Sequence, residues 1–326
     1  MPGSLSTPLY SNQVPIAFRH AESISLFPVP CDALSLSKCS LFPVPCSLLI
    51  MIQTIIVFVI IGLIITGILV SPTLVKQRRN RLKHRPFPPL WNAIIENNLP
   101  IYLHLSPAER RQVQGHIQVF LAEKQFIGCA GLQVTEEMKL AIAAVACLLL
   151  LNERGEYFPK LRSILIYPST YFVNQTIATG NYIVEERRVA RLGESWTHDQ
   201  VILSWEQVQQ DTQNWRDGHN VVLHEFAHQL DQEDGKAEGV PILQRNSDYP
   251  IWAQVMAQEY QQLCNDVQRG AKTVMDSYGT TNPAEFFAVA TETFFEKPQQ
   301  LLKKHPALYE LLQGYYQLDP VQWVRY

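Results

Sequence analysis

The chain has no CxxC pair among its six cysteines and no excess of basic residues: 27 Lys and Arg stand against 30 Asp and Glu, a formal net charge of −3. The first absence argues against a zinc knuckle. Cys31, Cys39 and Cys46 crowd the beginning of the chain, while Cys129, Cys147 and Cys264 sit in apolar or helical surroundings, where a small buried thiol is expected rather than a disulfide. Nothing in this pattern demands an oxidising compartment. The second absence removes the electrostatic footprint of a nucleic-acid binder, so no direct nucleic-acid binding is expected.

A third absence is local. Residues 48–70, LLIMIQTIIVFVIIGLIITGILV, carry no charge at all, and Gln53, Thr54 and Thr66 are their only polar side chains. At helical rise this length matches the hydrocarbon thickness of a bilayer, so one transmembrane helix is expected. A secretory signal peptide fits poorly, because a basic lead and a small-residue cleavage site are both missing. KQRRNRLKHR follows at 76–85 with six Lys and Arg. The positive-inside rule keeps such a run cytoplasmic, which gives a single-pass protein of the inner (plasma) membrane with its main domain in the cytoplasm. A solvated linker, or attraction to anionic headgroups, agrees with the same topology. Upstream, residues 1–47 are rich in Ser, Leu and Pro and repeat LFPVPC at 26–31 and 41–46. The repeat is too short and aperiodic for a folded unit, so a disordered extension is expected. It also reads as a translated DNA repeat ahead of a start at Met51, a hypothesis that recovery of residues 1–50 from the native protein by mass spectrometry would sink.

A basic, Pro-rich linker over 71–90 leads into a domain over 91–326. Ser106-Pro107-Ala108-Glu109 is a capping box with proline at the first helical position, opening a helix to about 123. Thr135 opens another, whose apolar run 140–151 is too short to span a bilayer and reads as a buried core helix. SILIY (163–167), residues 182–184 and VILSW (201–205) look like strands. From Gly218 onward the pattern is helical, interrupted at 234–241 and 276–283. The expected class is α+β, mainly helical with a small sheet.

VVLHEFAHQLDQ, residues 221–232, contains His-Glu-x-x-His. On a helix, His224 and His228 project from one face, as two ligands to one metal must. Leu223, Ala227 and Leu230 form an apolar stripe beside them. Glu225 is placed to take a proton from the attacking water and pass it to a leaving amine. By itself the motif also fits an ordinary surface helix. A third ligand at Asp234 would need a glycine at 231 to turn the chain back, and this chain has Asp231. TNPAEFFAVATETFF, residues 281–295, offers Glu285 and Glu292, seven apart and so on one side of a helix. Glu285 also fits the end of a capping box opened by Asn282, and Glu292 fits a solvated or ion-paired residue. Spacing alone does not choose between them.

GHNVVLHEFAHQLD (218–231), GVP (239–241) and YGTTNPAEFFAVATETFF (278–295) resemble the zinc-dependent peptidases of the Mlc titration factor A family, over residues from about 87 to the C-terminus. That family is similar in its catalytic core to the anthrax lethal factor protease domain, a zincin-like fold of the gluzincin type. The resemblance implies a Zn2+ held by His224, His228 and Glu285, with Glu225 as general base. It also implies an active-site Tyr278 that donates to the oxyanion of the tetrahedral intermediate; as a bare residue, Tyr278 reads as a turn or core tyrosine. Glu292 and Asp231 are then candidates to orient the ligating imidazoles, or members of ordinary salt bridges. The expectation is a membrane-anchored zinc metallopeptidase acting on a peptide or protein, with aminopeptidase activity implied by the family alone. The alternative is a regulatory binding protein that sequesters a transcriptional regulator or another partner, its zinc site structural or vestigial.

Overall fold

The computed structural model describes residues 46–153, 156–169, 171–179, 183–191, 193–197 and 199–324, with side chains for 51–152, 156–169 and 199–323. The LFPVPC repeat and the extension expected over 1–47 lie outside the described residues, apart from the first turn of the first helix. The chain divides into two compact units, Met1–Ile64 and Ile65–Tyr326.

Helix α1 covers Cys46–Lys83. From Met51 onward it is long and apolar enough to cross a membrane, and among the described residues the apolar window is exposed throughout. The helix does not stop at 70. It runs through most of the stretch expected as linker, because only Pro72 interrupts 71–83 and two of the arginines there have partners: Arg78 donates to the Ala122 carbonyl at 3.4 Å, and Arg79 makes a two-pronged bond to Glu123 at 2.9 and 3.0 Å. Helices α2 (Pro89–Asn98) and α3 (Pro107–Glu123) follow, then strand β1 (Gln125–Gly128) and helix α4 (Glu136–Leu148). Both bonds of the Ser106–Glu109 capping box are made, and Thr135 Oγ1 accepts from Met138 N–H to open α4. The run 140–151 is buried throughout, as its composition requires.

Next come β2 (Ser163–Tyr167), β3 (Tyr171–Thr179), β4 (Ile183–Arg191), β5 (Gly193–Thr197) and β6 (Gln200–Ser204). The main sheet has the order β1-β2-β6-β5, with β1, β2 and β6 parallel and β5 antiparallel at the edge. Strand β2 alternates between half-buried and buried positions, and Ile164 and Ile166 are fully buried. VILSW loses its tryptophan to the next element, because Ser204 Oγ accepts from Gln207 N–H and so caps helix α5 (Trp205–Gln213). The hairpin β3–β4 extends well beyond the expected 182–184. Its EERRVAR stretch has no apolar alternation to betray a strand.

The remaining chain is helical: α6 (Val221–Asp231), α7 (Tyr249–Gln268), α8 (Pro283–Glu296), α9 (Pro298–Lys304) and α10 (Pro306–Tyr316). Mainly helical with a small sheet is therefore the observed architecture. Helix α6 packs chiefly against α8 and also touches β5 and α4. Phe226 roots α6 in an aromatic cluster, its ring 4.8 Å from Phe158 and 5.7 Å from Phe120. That burial fixes the rotation of α6 about its axis, and hence the direction in which the opposite face points.

Candidate metal centre

Helix α6 opens at Asn220, whose Oδ1 accepts from Leu223 N–H at 3.1 Å. One turn later His224 and His228 leave the same face. Their Nε2 atoms are 3.2 Å apart. Helix α8 opens at Asn282, whose Oδ1 accepts from Glu285 N–H at 3.0 Å. The Glu285 carboxylate does not return the bond to complete a box. Its Oε2 lies 3.0 Å from His224 Nε2 and 3.3 Å from His228 Nε2. Two imidazole nitrogens and a carboxylate oxygen thus form a triangle with sides of 3.0, 3.2 and 3.3 Å.

Two nitrogens and one oxygen are donors zinc accepts, and bonds near 2.1 Å in a tetrahedral site imply ligand-to-ligand separations of about 3.4 Å. The triangle fits one face of such a site. These three are also the group of His, Cys, Asp and Glu side chains, among the described residues, whose ligand atoms converge within 4.8 Å. A divalent metal therefore has a matching donor set here. Asp234 is elsewhere, exposed in the turn after α6, with its carboxylate accepting from Lys236 N–H.

Glu292, two turns along α8 from Glu285, reaches behind His224. Its Oε1 accepts from Nδ1 at 2.7 Å, and its Oε2 accepts from the Asn220 backbone N–H at 2.6 Å. A carboxylate on Nδ1 fixes the proton there and turns the Nε2 lone pair toward the other donors. Burial disfavours charge on His224, but Glu292 and Glu285 hold its pKa well above the ordinary value. Burial likewise opposes charge on Glu285, yet the two histidines keep its carboxyl well below the usual range. The pocket is thus charged to favour a cation in the proton's place.

Glu225 is buried at 4 % exposure and close enough to His224 to add to its pKa shift. Tyr278, in the turn Ser277–Thr280 before α8, is 53 % exposed, with its ring 5.9 Å from the His224 ring. Asp231 lies near enough to His228 for the two to interact electrostatically, and it also holds a loop. Fully buried, it accepts from Gly239 N–H at 3.0 Å and Val240 N–H at 2.7 Å, clamping the loop after α6. At the end of the helix its carboxylate meets the loop's backbone donors. Gly239 has φ +76°, and a Cβ there would run into the Pro283 carbonyl at the start of α8. Gly239→Ala is expected to destabilise the fold by about 1–3 kcal/mol and to weaken metal binding by shifting Glu285. Urea unfolding and a metal titration of the variant check both.

Three residues of this neighbourhood escaped the sequence reading. Asn220 also donates from Nδ2 to Glu296 Oε1 at 3.1 Å, and Glu296 Oε2 accepts from Gly218 N–H at 2.9 Å. Asp211 Oδ2 accepts from Val221 N–H at 2.7 Å. Three carboxyl groups, Asp211, Glu292 and Glu296, therefore fasten the N-terminus of α6, where helix N–H groups and the dipole favour them. The available signal was the spacing of Glu285, Glu292 and Glu296 along one side of α8. Burial pushes the Glu296 carboxyl up to about 9 and Asp211 up to about 6.

Because Glu296 has a folded-state pKa above its ordinary value, folding takes up a proton. Its stability contribution is full below the ordinary carboxyl pKa and is lost as pH rises through about 9. Glu296→Gln, which cannot ionise, is expected to flatten the decline in unfolding free energy between pH 6 and 9.5. Urea titrations of both proteins at the two pH values measure it; an equal decline in the two would contradict it.

A model of the glucose-regulated metallo-peptidase M90 family matches residues 74–317. An uncharacterized protein of Synechocystis sp. (strain ATCC 27184 / PCC 6803 / Kazusa) is 47% identical over 272 residues, covering 83% of this chain and 99% of the relative. Mlc titration factor A of Klebsiella pneumoniae (strain 342) is 31% identical over 230 residues, covering 70% of this chain and 86% of the relative. The protein of the same name from Salmonella arizonae is 27% identical over 239 residues, covering 72% and 93%.

Proposed function

The chain belongs to the glucose-regulated metallo-peptidase M90 family, and from that premise we propose that it is a zinc metallopeptidase of zincin-like, gluzincin-type fold, anchored by α1 with its catalytic domain in the cytoplasm. The observation that carries the reading is the convergence of His224 Nε2, His228 Nε2 and Glu285 Oε2 beside the buried Glu225. His224, His228 and Glu285 would hold the ion. When bound, zinc supplies a Lewis acid that polarises a peptide carbonyl and acidifies water.

The protein's own residues do the rest. Glu225 accepts the proton of the attacking water and delivers it to the leaving amine, so that one carboxylate serves as base and then as acid. Tyr278, half exposed beside the His224 ring, donates its phenolic hydrogen to the carbonyl oxygen as charge builds there. Glu292 keeps the His224 ring in one tautomer and orientation. Asp231 holds the loop that abuts the start of α8.

The test is hydrolysis of a peptide library by the full-length protein in detergent. Cleavage lost on chelation and restored by zinc supports the reading. Cleavage indifferent to chelation contradicts it.

The relatives named Mlc titration factor A favour a second reading. On this reading the chain sequesters a transcriptional regulator at the membrane, and its metal serves structure alone. Pull-down of a regulator equally by wild type and by a protein lacking Glu225's carboxylate, with no peptide cleaved by either, would support it.

A further inference from the structure

The end of α1 packs on α3 at a close approach, where a Cβ on Gly115 would meet the Lys83 carbonyl at 3.2 Å. Leu82 is buried in the core, and Gln118 Nε2 donates to the Arg85 carbonyl at 3.1 Å. Beside this seam the same stretch of α1 walls a cleft of about 860 Å³, lined among others by Val75, Lys76, Arg79, Lys83, His116 and Tyr157. We propose that this cleft binds the phosphate of an anionic phospholipid headgroup. The proposal rests on the reading of α1 as a membrane anchor.

Among the described residues that line it, three are cations and one, Glu156, is a carboxylate, which stands 79% exposed at 3.8 Å from Arg79. Glu123 offsets part of Arg79's charge. Lys76 is exposed, while Arg79 and Lys83 are half-buried, with Arg79 5.0 Å and Lys83 5.8 Å from the Tyr157 ring. The floor holds a second pointer. His116 is only 4% exposed, and its Nε2 has no hydrogen-bond partner. Its Nδ1 lies 2.8 Å from the Tyr157 hydroxyl. Burial, reinforced by Lys83, pushes its pKa down to about 4, so the ring is neutral near pH 7. In the tautomer where Tyr157 donates to Nδ1, Nε2–H is an unused donor. Buried donors are almost always paired, and a phosphate oxygen in the cleft supplies the missing acceptor.

Depth favours a lipid over a free phosphate. From Val70 to Lys76 the helix rises about 9 Å, and to Arg79 about 14 Å. The polar region beyond each side of the hydrocarbon core is about 5–8 Å thick, and long basic side chains reach back toward it. Exposed Leu69, Leu74 and Val75 continue from the apolar segment to the cleft, giving the upper part of an acyl chain a surface to follow.

The experiment uses the full chain. Flotation with neutral phosphatidylcholine vesicles tests the anchor, and native mass spectrometry from detergent with phosphatidylglycerol or phosphatidylcholine tests the site. Wild type is expected to float with neutral vesicles and to retain one phosphatidylglycerol at least tenfold more strongly than phosphatidylcholine. The double variant Lys76→Ala/Lys83→Ala is expected to lose that preference, and His116→Phe to reduce it several-fold, with zinc content unchanged in both. Glycerol phosphate and inorganic phosphate should compete only weakly. Flotation without any lipid preference, or a double variant that keeps the wild-type preference, overturns the proposal alone. Competition by free phosphate as strong as by lipid overturns the lipid source. Failure to float overturns the anchor reading and the proposal together.

Discussion

Glu225→Gln is expected to lower peptide hydrolysis by about 10²–10⁴-fold, the usual contribution of a positioned acid–base group. Zinc content and KM are expected to stay at their wild-type values. Glutamine keeps the volume and the hydrogen-bonding reach of the side chain but cannot accept a proton. Glu225 is buried on the histidine-bearing helix, so a side chain of the same size keeps its place. Loss of turnover with intact metal assigns the proton to this carboxylate. Hydrolysis retained within a few-fold would place the base elsewhere. If the variant also retained its cellular phenotype, the regulatory binding reading would gain.

Glu285→Gln is expected to weaken zinc binding by more than about 100-fold. Loss of a partner behind a ligand typically costs 10–100-fold in affinity, and Glu285 contributes one of the converging donor atoms themselves. Glu292→Gln is accordingly expected to fall in the 10–100-fold range, because it removes only the acceptor on His224 Nδ1. The fold should survive the first change. The cap of α8 runs from Asn282 Oδ1 to the Glu285 backbone N–H, which substitution leaves in place. Competition titration against a chromophoric chelator separates the two variants. Equal affinities, or an unaffected Glu285→Gln, would contradict the assignment.

Much of this was legible in the residues because local chemistry dictated it. The capping box at Ser106, the cap at Thr135 and the short apolar run SILIY all produce the elements they announce. Spacing reduced the third donor to Glu285 or Glu292, and the fold separates them by direction. One side chain faces both Nε2 atoms, while the other faces the far side of one ring. What the sequence hid depends on contacts between distant segments. Glu296 meets Gly218 and Asn220 across more than seventy residues. Asp231 accepts from a loop that only the fold brings back. The charged strand β4 gave no periodic signal, and the basic stretch after residue 70 reads as linker until Glu123 and Gly115 supply partners from α3.

The atoms that surround the metal decide the assignment of this site most directly. X-ray absorption at the zinc edge of the zinc-loaded full chain would identify them. Two imidazole nitrogens near 2.0–2.1 Å with the rest of the shell oxygen, at one zinc per chain, is the expected result. No stoichiometric zinc, or sulfur in the shell from a cysteine, would contradict it.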